Sequence, residues 1–170
     1  MHSVIVATKN RVLLCVFAVV LALITSCQAS NAAWPIVSRG DSDLNNANVT
    51  MVQHLLRNKG FAVVVDGHFG PQTQRQVRRF QSQNKLPLSG KVDKATWPIL
   101  TVILHRGDRG EAVLAMQAAL QQHDEKLPID GHFGERTSYS VRKFKRTMHL
   151  PDDDTVNEVV WQRLSDSVVD

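Results

Sequence analysis

The sequence predicts an all-α protein in which two tandem three-helix modules follow an N-terminal signal segment. Three observations lead to this prediction. The chain of 170 residues contains an apolar run near its start, it repeats itself at an offset of 64 positions, and each copy places apolar side chains at helical spacing. The composition, with 43% hydrophobic and 21% charged residues, is typical of a globular chain.

The apolar run covers residues 12–24 and follows Lys9 and Arg11. Thirteen helical residues extend about 20 Å, which is short of the roughly 30 Å hydrocarbon core of a bilayer. The run is therefore typical of an export signal rather than of a retained transmembrane helix. Residues 24–27 resemble a bacterial lipobox, which would make Cys27 a lipidation site, while the small residues that follow also allow ordinary signal cleavage.

Both cysteines, Cys15 and Cys27, lie in this segment, so the remaining chain has no thiol for a disulfide, a metal site or a nucleophile. Removing Lys9 and Arg11 from the 20 basic residues leaves 18 against 16 acidic residues, a net charge of +2. An excess of two charges gives little phosphate affinity. Nucleic acid is therefore disfavoured as a partner.

The repeat is the strongest signal in the sequence. Residues 49–100 align with residues 113–164 without a gap, and 17 of the 52 positions are identical. Unrelated chains of ordinary composition would share roughly three or four. The densest match is an Asp-Gly-His-Phe-Gly block at 66–70 and 130–134. The first copy has three additional residues around 45–48, which we expect in a surface turn.

The repeat and the signal together predict the domain organisation. The predicted segments are a signal segment at 1–27, a short linker at 28–33, module 1 at 34–101, module 2 at 102–164 and a tail at 165–170. Because almost no linker separates the two copies, we expect the modules to sit against each other.

Periodicity predicts three helices in each module. The predicted buried residues of the first helix are Val49, Val52, Leu55 and Leu56 in module 1 and Val113, Met116 and Leu120 in module 2. Those of the second helix are Thr73, Val77 and Phe80 in module 1 and Thr137, Val141 and Phe144 in module 2. Pro71 suits the first position of the second helix. Asp93 and Asn157 are N-cap candidates for a short third helix that buries Trp97 or Trp161.

The Asp-Gly-His-Phe-Gly block has the composition of a tight turn before the second helix. Aspartate accepts hydrogen bonds from backbone N–H groups one or two residues on, and glycine takes positive φ without steric cost. The predicted scaffold residues are Asp66, Gly67, Phe69 and Gly70 in module 1 and Asp130, Gly131, Phe133 and Gly134 in module 2. We expect the two phenylalanines in the core beneath the turn, and His68 and His132 exposed on it, placed to touch a sugar.

The same block does not have the pattern of a metal site. A calcium loop needs several alternating oxygen ligands, whereas Asp66 and Asp130 stand nearly alone. Neither His68 nor His132 has a second ligand three or four residues away on one helical face. We therefore expect no metal and no cofactor.

One family combines these motifs at this spacing. The matching positions in module 1 are Gln53-His54-Leu55-Leu56, Gly60, residues 65–73, residues 77–81, Leu86, Gly90, Val92, Thr96-Trp97 and Leu100. This combination resembles the peptidoglycan-binding domain of bacterial cell-wall hydrolases and their companions, over about residues 34–164. The resemblance implies all-helical three-helix modules that hold a protein onto the glycan strands and stem peptides of the wall.

Module 2 departs from the family pattern at several positions. Asp124, Lys145 and Val160 replace a glycine, a glutamine and a threonine, and three aspartates at 152–154 replace Leu-Ser-Gly. We expect these changes to alter the surface and to leave the core intact. The sequence therefore supports the fold of module 2 better than its ligand binding.

The two modules differ in charge. Module 1 has nine basic and four acidic residues, a net charge of +5, whereas module 2 has nine and ten, a net charge of −1. The second helix is basic in both modules, which indicates either a solvated face or attraction to carboxylates and phosphates of the wall that salt would weaken. The candidate ligand-binding residues are His68, Arg75, Arg78, Arg79, His132 and Arg142.

The sequence favours a non-catalytic bacterial protein, because no catalytic cysteine is available and the histidines lack metal-ligand spacing. We expect it to be exported to the envelope or beyond, to bind peptidoglycan as a monomer through two modules, and to contact a membrane only through a lipid on Cys27. Two alternatives stay open: an interaction module that docks on or regulates a partner wall hydrolase, and a small zinc or acid hydrolase hidden in this fold.

Overall fold

The computed structural model describes residues 33–43, 47–124 and 126–166. These residues contain six helices: α1 (Asn48–Asn58), α2 (Pro71–Gln83), α3 (Trp97–Leu100), α4 (Glu111–Leu120), α5 (Glu135–Thr147) and α6 (Glu158–Asp166). The described residues form no β-strand, only four isolated antiparallel bridges. The predicted signal segment, Cys27 and residues 45 and 46 of the predicted insertion lie outside the described residues.

The all-α prediction is confirmed, with α1 to α3 in module 1 and α4 to α6 in module 2. Every residue predicted to face inward from the first two helices of each module is buried. Pro71 is the first residue of α2, as predicted, because its fixed φ suits that position and no backbone donor is lost there. The last helix, α6, runs to Asp166 and so reaches into the segment predicted to be a tail.

The first helix of each module begins differently. In module 1 the carboxylate of Asp43 accepts hydrogen bonds from the N–H groups of Val49 (2.8 Å) and Thr50 (2.9 Å), which have no partner within the first turn of α1. In module 2 Gly110, with φ of +103°, directly precedes α4, and Glu111 supplies a negative charge in its first turn.

Each module opens with an extended arm that the third helix holds in place. Val37 pairs with Val92, and the indole N–H of Trp97 donates to the carbonyl oxygen of Pro35 at 2.8 Å. The corresponding bonds in module 2 join Leu104 to Val156 and the indole of Trp161 to the carbonyl oxygen of Val102. Both indoles are completely buried, as the sequence predicts.

The two N-cap predictions for the third helix have different outcomes. Asn157 caps α6 as predicted, because its side-chain oxygen accepts the N–H of Val160 at 3.1 Å. Asp93 caps a preceding turn instead, through the N–H groups of Ala95 and Thr96, and α3 begins only at Trp97.

The modules are packed against each other through α1 and α4, as expected from the short connection. Met51, Leu55 and Ala115 are completely buried, and the buried residues of both modules form one continuous hydrophobic cluster. Helix α4 buries residues on nearly every side, since it contacts both its own module and α1.

Polar contacts at two places reinforce this packing. The carboxylate of Glu111, at the start of α4, receives His54 Nδ1 at 2.6 Å and Arg57 Nη2 at 2.8 Å, both from α1. The side-chain amide of Asn48 donates to the carbonyl oxygen of Ser165 at 3.0 Å. The described parts of the two modules therefore form one compact unit.

Candidate functional site

A buried glutamine organises the Asp-Gly-His-Phe-Gly turn of module 1. Gln53, on α1, is completely buried. Its amide nitrogen donates to Asp66 Oδ1 (2.8 Å), to the carbonyl oxygen of His68 (3.0 Å) and to Thr73 Oγ1 (3.3 Å). Its amide oxygen accepts the N–H groups of Asp66 and Gly67 at 3.1 and 3.0 Å. One side chain thus fixes the turn to α1 and to α2.

Gln117 makes the same five contacts in module 2. It donates to Asp130 Oδ1 (2.8 Å), to the carbonyl oxygen of His132 (3.1 Å) and to Thr137 Oγ1 (3.1 Å). It accepts the N–H groups of Asp130 (3.1 Å) and Gly131 (2.8 Å). This role is missing from the predictions above, although a polar residue on an otherwise apolar helix face, identical in both copies, is the signal for it.

The φ angles of the turn glycines contradict one prediction. Gly67 and Gly131 have φ of +68° and +70°, the left-handed conformation expected of glycine in a tight turn. Gly70 and Gly134 have φ of −83° and −85°, so the prediction of positive φ at these two positions is wrong. They take an extended conformation because each is the residue that precedes the first turn of α2 or α5.

The other residues of the turn lie close to where the sequence predicts them. Phe69 and Phe133 are each 1% exposed and lie in the core. The backbone of Phe69 is tied to the N-terminal arm through Asp41 at 2.8 Å. His68 is exposed, whereas His132 is half-buried. Among the described residues, no three His, Cys, Asp or Glu side chains are placed together to hold a metal ion.

Three arginines of α2 form what we call the α2 basic face: Arg75, Arg78 and Arg79. All three are exposed, and none forms an ion pair within the described residues. The side chain of Arg78 crosses Gly90, where an added Cβ would lie 2.8 Å from Arg78 Nε. Gly90, with φ of +68°, thus leaves room for this guanidinium and completes the turn after α2.

The corresponding arginine in module 2 is already paired. Arg142 Nε lies 3.0 Å from Asp152 Oδ1 and Arg142 Nη2 lies 3.4 Å from Asp152 Oδ2. Arg146 Nη1 lies 3.3 Å from the same carboxylate. The hydrogen bond from Arg142 holds the pKa of Asp152 below its usual value, and the pKa of Arg142 is raised in turn. The structure therefore separates the candidate Arg142 from the α2 basic face, which carries no such partner.

The replacement of glutamine by lysine in module 2 corrects a second prediction. Lys145 was expected at the surface, but its side chain is only 2% exposed. Its Nζ donates to Asp153 Oδ1 at 2.6 Å and to the carbonyl oxygen of Thr155 at 3.2 Å. The lysine is tolerated in the core because its charge is paired there and hydrogen-bonded.

Module 1 uses neutral groups at the same place. Gln81 is completely buried and donates to Ser89 Oγ (3.0 Å), to the carbonyl oxygen of Lys91 (2.8 Å) and to Thr96 Oγ1 (3.1 Å). In module 2 an aspartate replaces that serine, and Val160, which is buried rather than exposed, replaces the threonine. These core residues therefore change together, so the prediction that the replacements alter only the surface is wrong.

The remaining changes in module 2 also make defined contacts. Asp154 Oδ2 accepts a hydrogen bond from Ser138 Oγ at 3.0 Å, and Asp124 Oδ2 accepts one from Ser140 Oγ at 2.8 Å. Asp152, Asp153 and Asp154 thus bind four side chains of α5: Arg142 and Arg146, Lys145, and Ser138. Each of the three carboxylates is therefore held by a side chain of α5.

Two Ser-x-x-Lys sequences, at 82–85 and 140–143, have the spacing found in some serine acyl-enzymes. Ser82 is exposed near the end of α2, and the hydroxyl of Ser140 donates to a carboxylate instead of facing a lysine. In the described part of the chain, neither serine has a hydrogen bond to an amine that would activate it.

Residues 45–100 and 109–164 each match the family described as "Putative peptidoglycan binding domain". The chain belongs to this peptidoglycan-binding domain family. The two matches confirm the tandem arrangement that the internal repeat predicts. Two peptidoglycan-binding domains support a role in cell-wall binding, with peptidoglycan as the partner and the cell wall or envelope as the location.

Two solved structures are similar to parts of this tandem peptidoglycan-binding protein. The SleB N-terminal domain is 29% identical over 38% of this chain and 89% of its own, with a TM-score of 0.36. A fused Zn-dependent amidase/peptidase/peptidoglycan-binding domain-containing protein from Clostridium acetobutylicum ATCC 824 is 26% identical, with a TM-score of 0.38. That match covers 53% of this chain and only 43% of the amidase. No curated protein matches the chain.

None of the described helices of this peptidoglycan-binding protein combines the length and the apolar character of a membrane span. The export signal and the lipid on Cys27 stay predictions, because both fall outside the described residues.

The aspartates of both modules predict that acid destabilises the fold. Hydrogen bonds from Gln53, Gln117 and Lys145 lower the pKa values of Asp66, Asp130 and Asp153. A carboxyl group whose pKa is lower in the folded state stabilises it at pH values above its unfolded pKa of about 3.9. That contribution is lost as the pH falls through the folded pKa.

We therefore expect the melting temperature, followed by circular dichroism, to fall as the pH is lowered from about 5 to about 2. The variant Asp153→Asn is expected to flatten this dependence, since it removes one of the titrating groups. A melting temperature that stays constant down to about pH 2 would contradict the assigned contacts.

Proposed function

We propose that the chain is a non-catalytic cell-wall-binding protein that holds the wall polymer through two tandem modules. The observation that carries the proposal is the α2 basic face, three exposed and unpaired arginines on a peptidoglycan-binding domain. Stem peptides of the wall carry carboxylates and other wall polymers carry phosphates, so the charge of +5 on module 1 is complementary to both.

Two modules on a repetitive polymer strengthen binding through avidity. A second contact on the same polymer raises overall affinity by about two to four orders of magnitude when both sites reach it together. Module 1 supplies the stronger contact in this proposal, through Arg75, Arg78, Arg79 and the exposed His68. Module 2, with its charge of −1, supplies a weaker one through His132 and Arg142.

The proposal includes the organisation of the chain. Residues 34–101 and 102–164 are the binding modules of a monomer, and residues 1–27 direct export, with Cys27 as the lipid anchor in the lipoprotein form. Catalysis forms no part of the proposed function, because the Ser-x-x-Lys sequences lack an activated hydroxyl and the described residues hold no metal-binding cluster.

Sedimentation with purified peptidoglycan sacculi tests this function. We expect the protein to pellet with sacculi at low ionic strength and to be released at about 0.5 M salt, where exposed charges are screened. The triple variant Arg75→Gln, Arg78→Gln, Arg79→Gln is expected to bind on the order of tenfold more weakly. A matched control, Lys59→Gln, Lys94→Gln, Lys126→Gln, removes the same charge outside α2 and is expected to bind almost normally.

Four outcomes would contradict the proposal. Binding that does not depend on salt, or an equal loss of binding in both triple variants, would show that the α2 basic face is not part of the binding site. Release of soluble muropeptides from the sacculi would show hydrolase activity. A requirement for an added protein before sedimentation would favour the partner-docking alternative.

One observation favours that second candidate, an interaction module for a partner hydrolase. Residues 62–65 lie outside the helices, and their backbone groups form no hydrogen bond within the described residues. They line an open groove of about 790 Å³ together with Arg57, Gln72 and Glu111. An extended peptide can add to such an edge. In module 2 Pro128 lacks the N–H needed at the same place.

A further inference from the structure

The two modules present one arginine at the same position of the repeat. Arg142 lies 64 residues after Arg78, and each follows a completely buried valine, Val141 or Val77. A buried phenylalanine occurs two positions later in both helices. Since buried neighbours fix the rotation of a helix about its axis, both arginines leave the same side of the module.

The loop that follows α5 pairs with this arginine in module 2, whereas the loop that follows α2 in module 1 does not. In module 2 Asp152 offers both carboxylate oxygens to Arg142, at 3.0 and 3.4 Å, and also contacts Arg146. In module 1 the position of Asp152 is taken by Leu88, whose side chain is 60% exposed. Arg78 therefore forms no ion pair with a carboxylate within the described part of module 1.

Asp152 is held in place by neighbours that do not depend on its own ion pair. The buried Lys145 binds Asp153, and Ser138 binds Asp154. The pair between Arg142 and Asp152 is itself exposed on both sides. Exposed ion pairs add little to folding stability. The main effect of Asp152 is therefore on the charge that α5 presents to solvent.

We propose that Asp152 occupies, within the molecule, a carboxylate-binding site of module 2, and that the equivalent open site at Arg78 in module 1 binds a carboxylate of the wall polymer. Two oxygens facing one guanidinium is the bidentate geometry in which arginine binds a carboxylate. This inference rests on the proposed function and specifies it. Module 1 is the open site, and module 2 binds only when the polymer displaces Asp152.

The test uses the full chain and the variant Asp152→Asn, which keeps the shape of the side chain and removes its charge. Binding is measured to soluble poly-L-glutamate and to purified sacculi. We expect Asp152→Asn to bind both about tenfold more tightly, because a second site opens on a polyvalent ligand. The control Glu158→Gln, which removes another exposed negative charge from module 2, is expected to change affinity little.

Two arginine variants complete the test. Arg142→Gln is expected to weaken the binding of the natural sequence only slightly, much less than Arg78→Gln does, and to abolish the gain in Asp152→Asn. Arg78→Gln is expected to weaken binding in both backgrounds. Equal affinity of Asp152→Asn and Glu158→Gln, or a gain that survives Arg142→Gln, would overturn the inference.

Measuring the binding of the same variants to polyphosphate distinguishes a carboxylate site from a general attraction to anions. An equal gain with polyphosphate would overturn the carboxylate assignment. Failure of every variant to sediment with sacculi would defeat the proposed function alone, since poly-L-glutamate still reports whether Asp152 occupies the site.

Discussion

Replacing Trp97 with alanine is expected to lower the free energy of unfolding by about 3 to 5 kcal/mol. The indole is completely buried, stacks on Trp34 with ring centroids 5.3 Å apart, and donates to the carbonyl oxygen of Pro35. The substitution leaves a cavity and frees the N-terminal arm. Because one hydrophobic cluster runs through both modules, the loss reaches the whole described unit.

Thermal unfolding followed by circular dichroism measures this effect. We expect a single transition that moves down by on the order of 10 °C. Ile99→Ala, a change on the same short helix at a half-exposed position, serves as the control and is expected to shift the transition only slightly. An unchanged transition in Trp97→Ala, or two separate transitions in the natural sequence, would contradict the shared core.

Replacing Gln117 with leucine is expected to destabilise the protein by about 3 kcal/mol or more, since a buried polar group without a partner costs about 1 to 3 kcal/mol. Leucine fills a similar volume but removes the hydrogen bonds that the Gln117 amide makes with the N–H groups of Asp130 and Gly131 and with the hydroxyl of Thr137. The Asp-Gly-His-Phe-Gly turn of module 2 is then no longer fixed to α4.

Chemical denaturation gives the free energy of unfolding, and amide hydrogen exchange locates the change. We expect faster exchange at Asp130 and Gly131 in Gln117→Leu. Gln121→Leu is the matched control, because Gln121 directly follows α4 and its side chain makes a single bond, to the carbonyl oxygen of Leu127. Similar losses of stability in the two variants would show that the five contacts of Gln117 do not act together.

The sequence predicts the helices well because their signals are local. Apolar spacing defines α1 and α4, the proline of Pro71 marks the start of α2, and Asn157 marks the start of α6. The repeat adds a second, independent copy of each signal. Where the start of a helix depends on a preceding turn, as at Asp93, local reasoning misplaces it by several residues.

Contacts across the fold are less accessible to sequence reasoning. Periodicity identifies the buried face of a helix but not the element that covers it, so the packing of α1 on α4 could not be specified. The run of Ala112, Ala115, Ala118 and Ala119 was the available signal, since a helix that is apolar on all sides is buried on all sides. Lys145 was misplaced because a buried cation is predictable only once its partner, Asp153, is known.

The candidate site was predicted only in part. Charge counting separates module 1 from module 2, and it selects Arg78 and Arg142 equally. The two arginines differ because of the loop ten residues further along the chain, where Asp152 pairs with Arg142, whereas no carboxylate of the described residues pairs with Arg78. The number of charges in a module does not show which of them form ion pairs with each other.

The contact between α1 and α4 has a mechanical consequence. The connection from α3 to α4 is itself bonded to module 2, through Leu104 and Gly107, so no slack tether joins the copies. If both modules bind the wall polymer as proposed, their sites are held at one fixed spacing, and a polymer is bound fully only where its repeat matches that spacing. A substitution that loosens Met51 against α4 would then change which polymers are bound without altering any residue proposed to touch them.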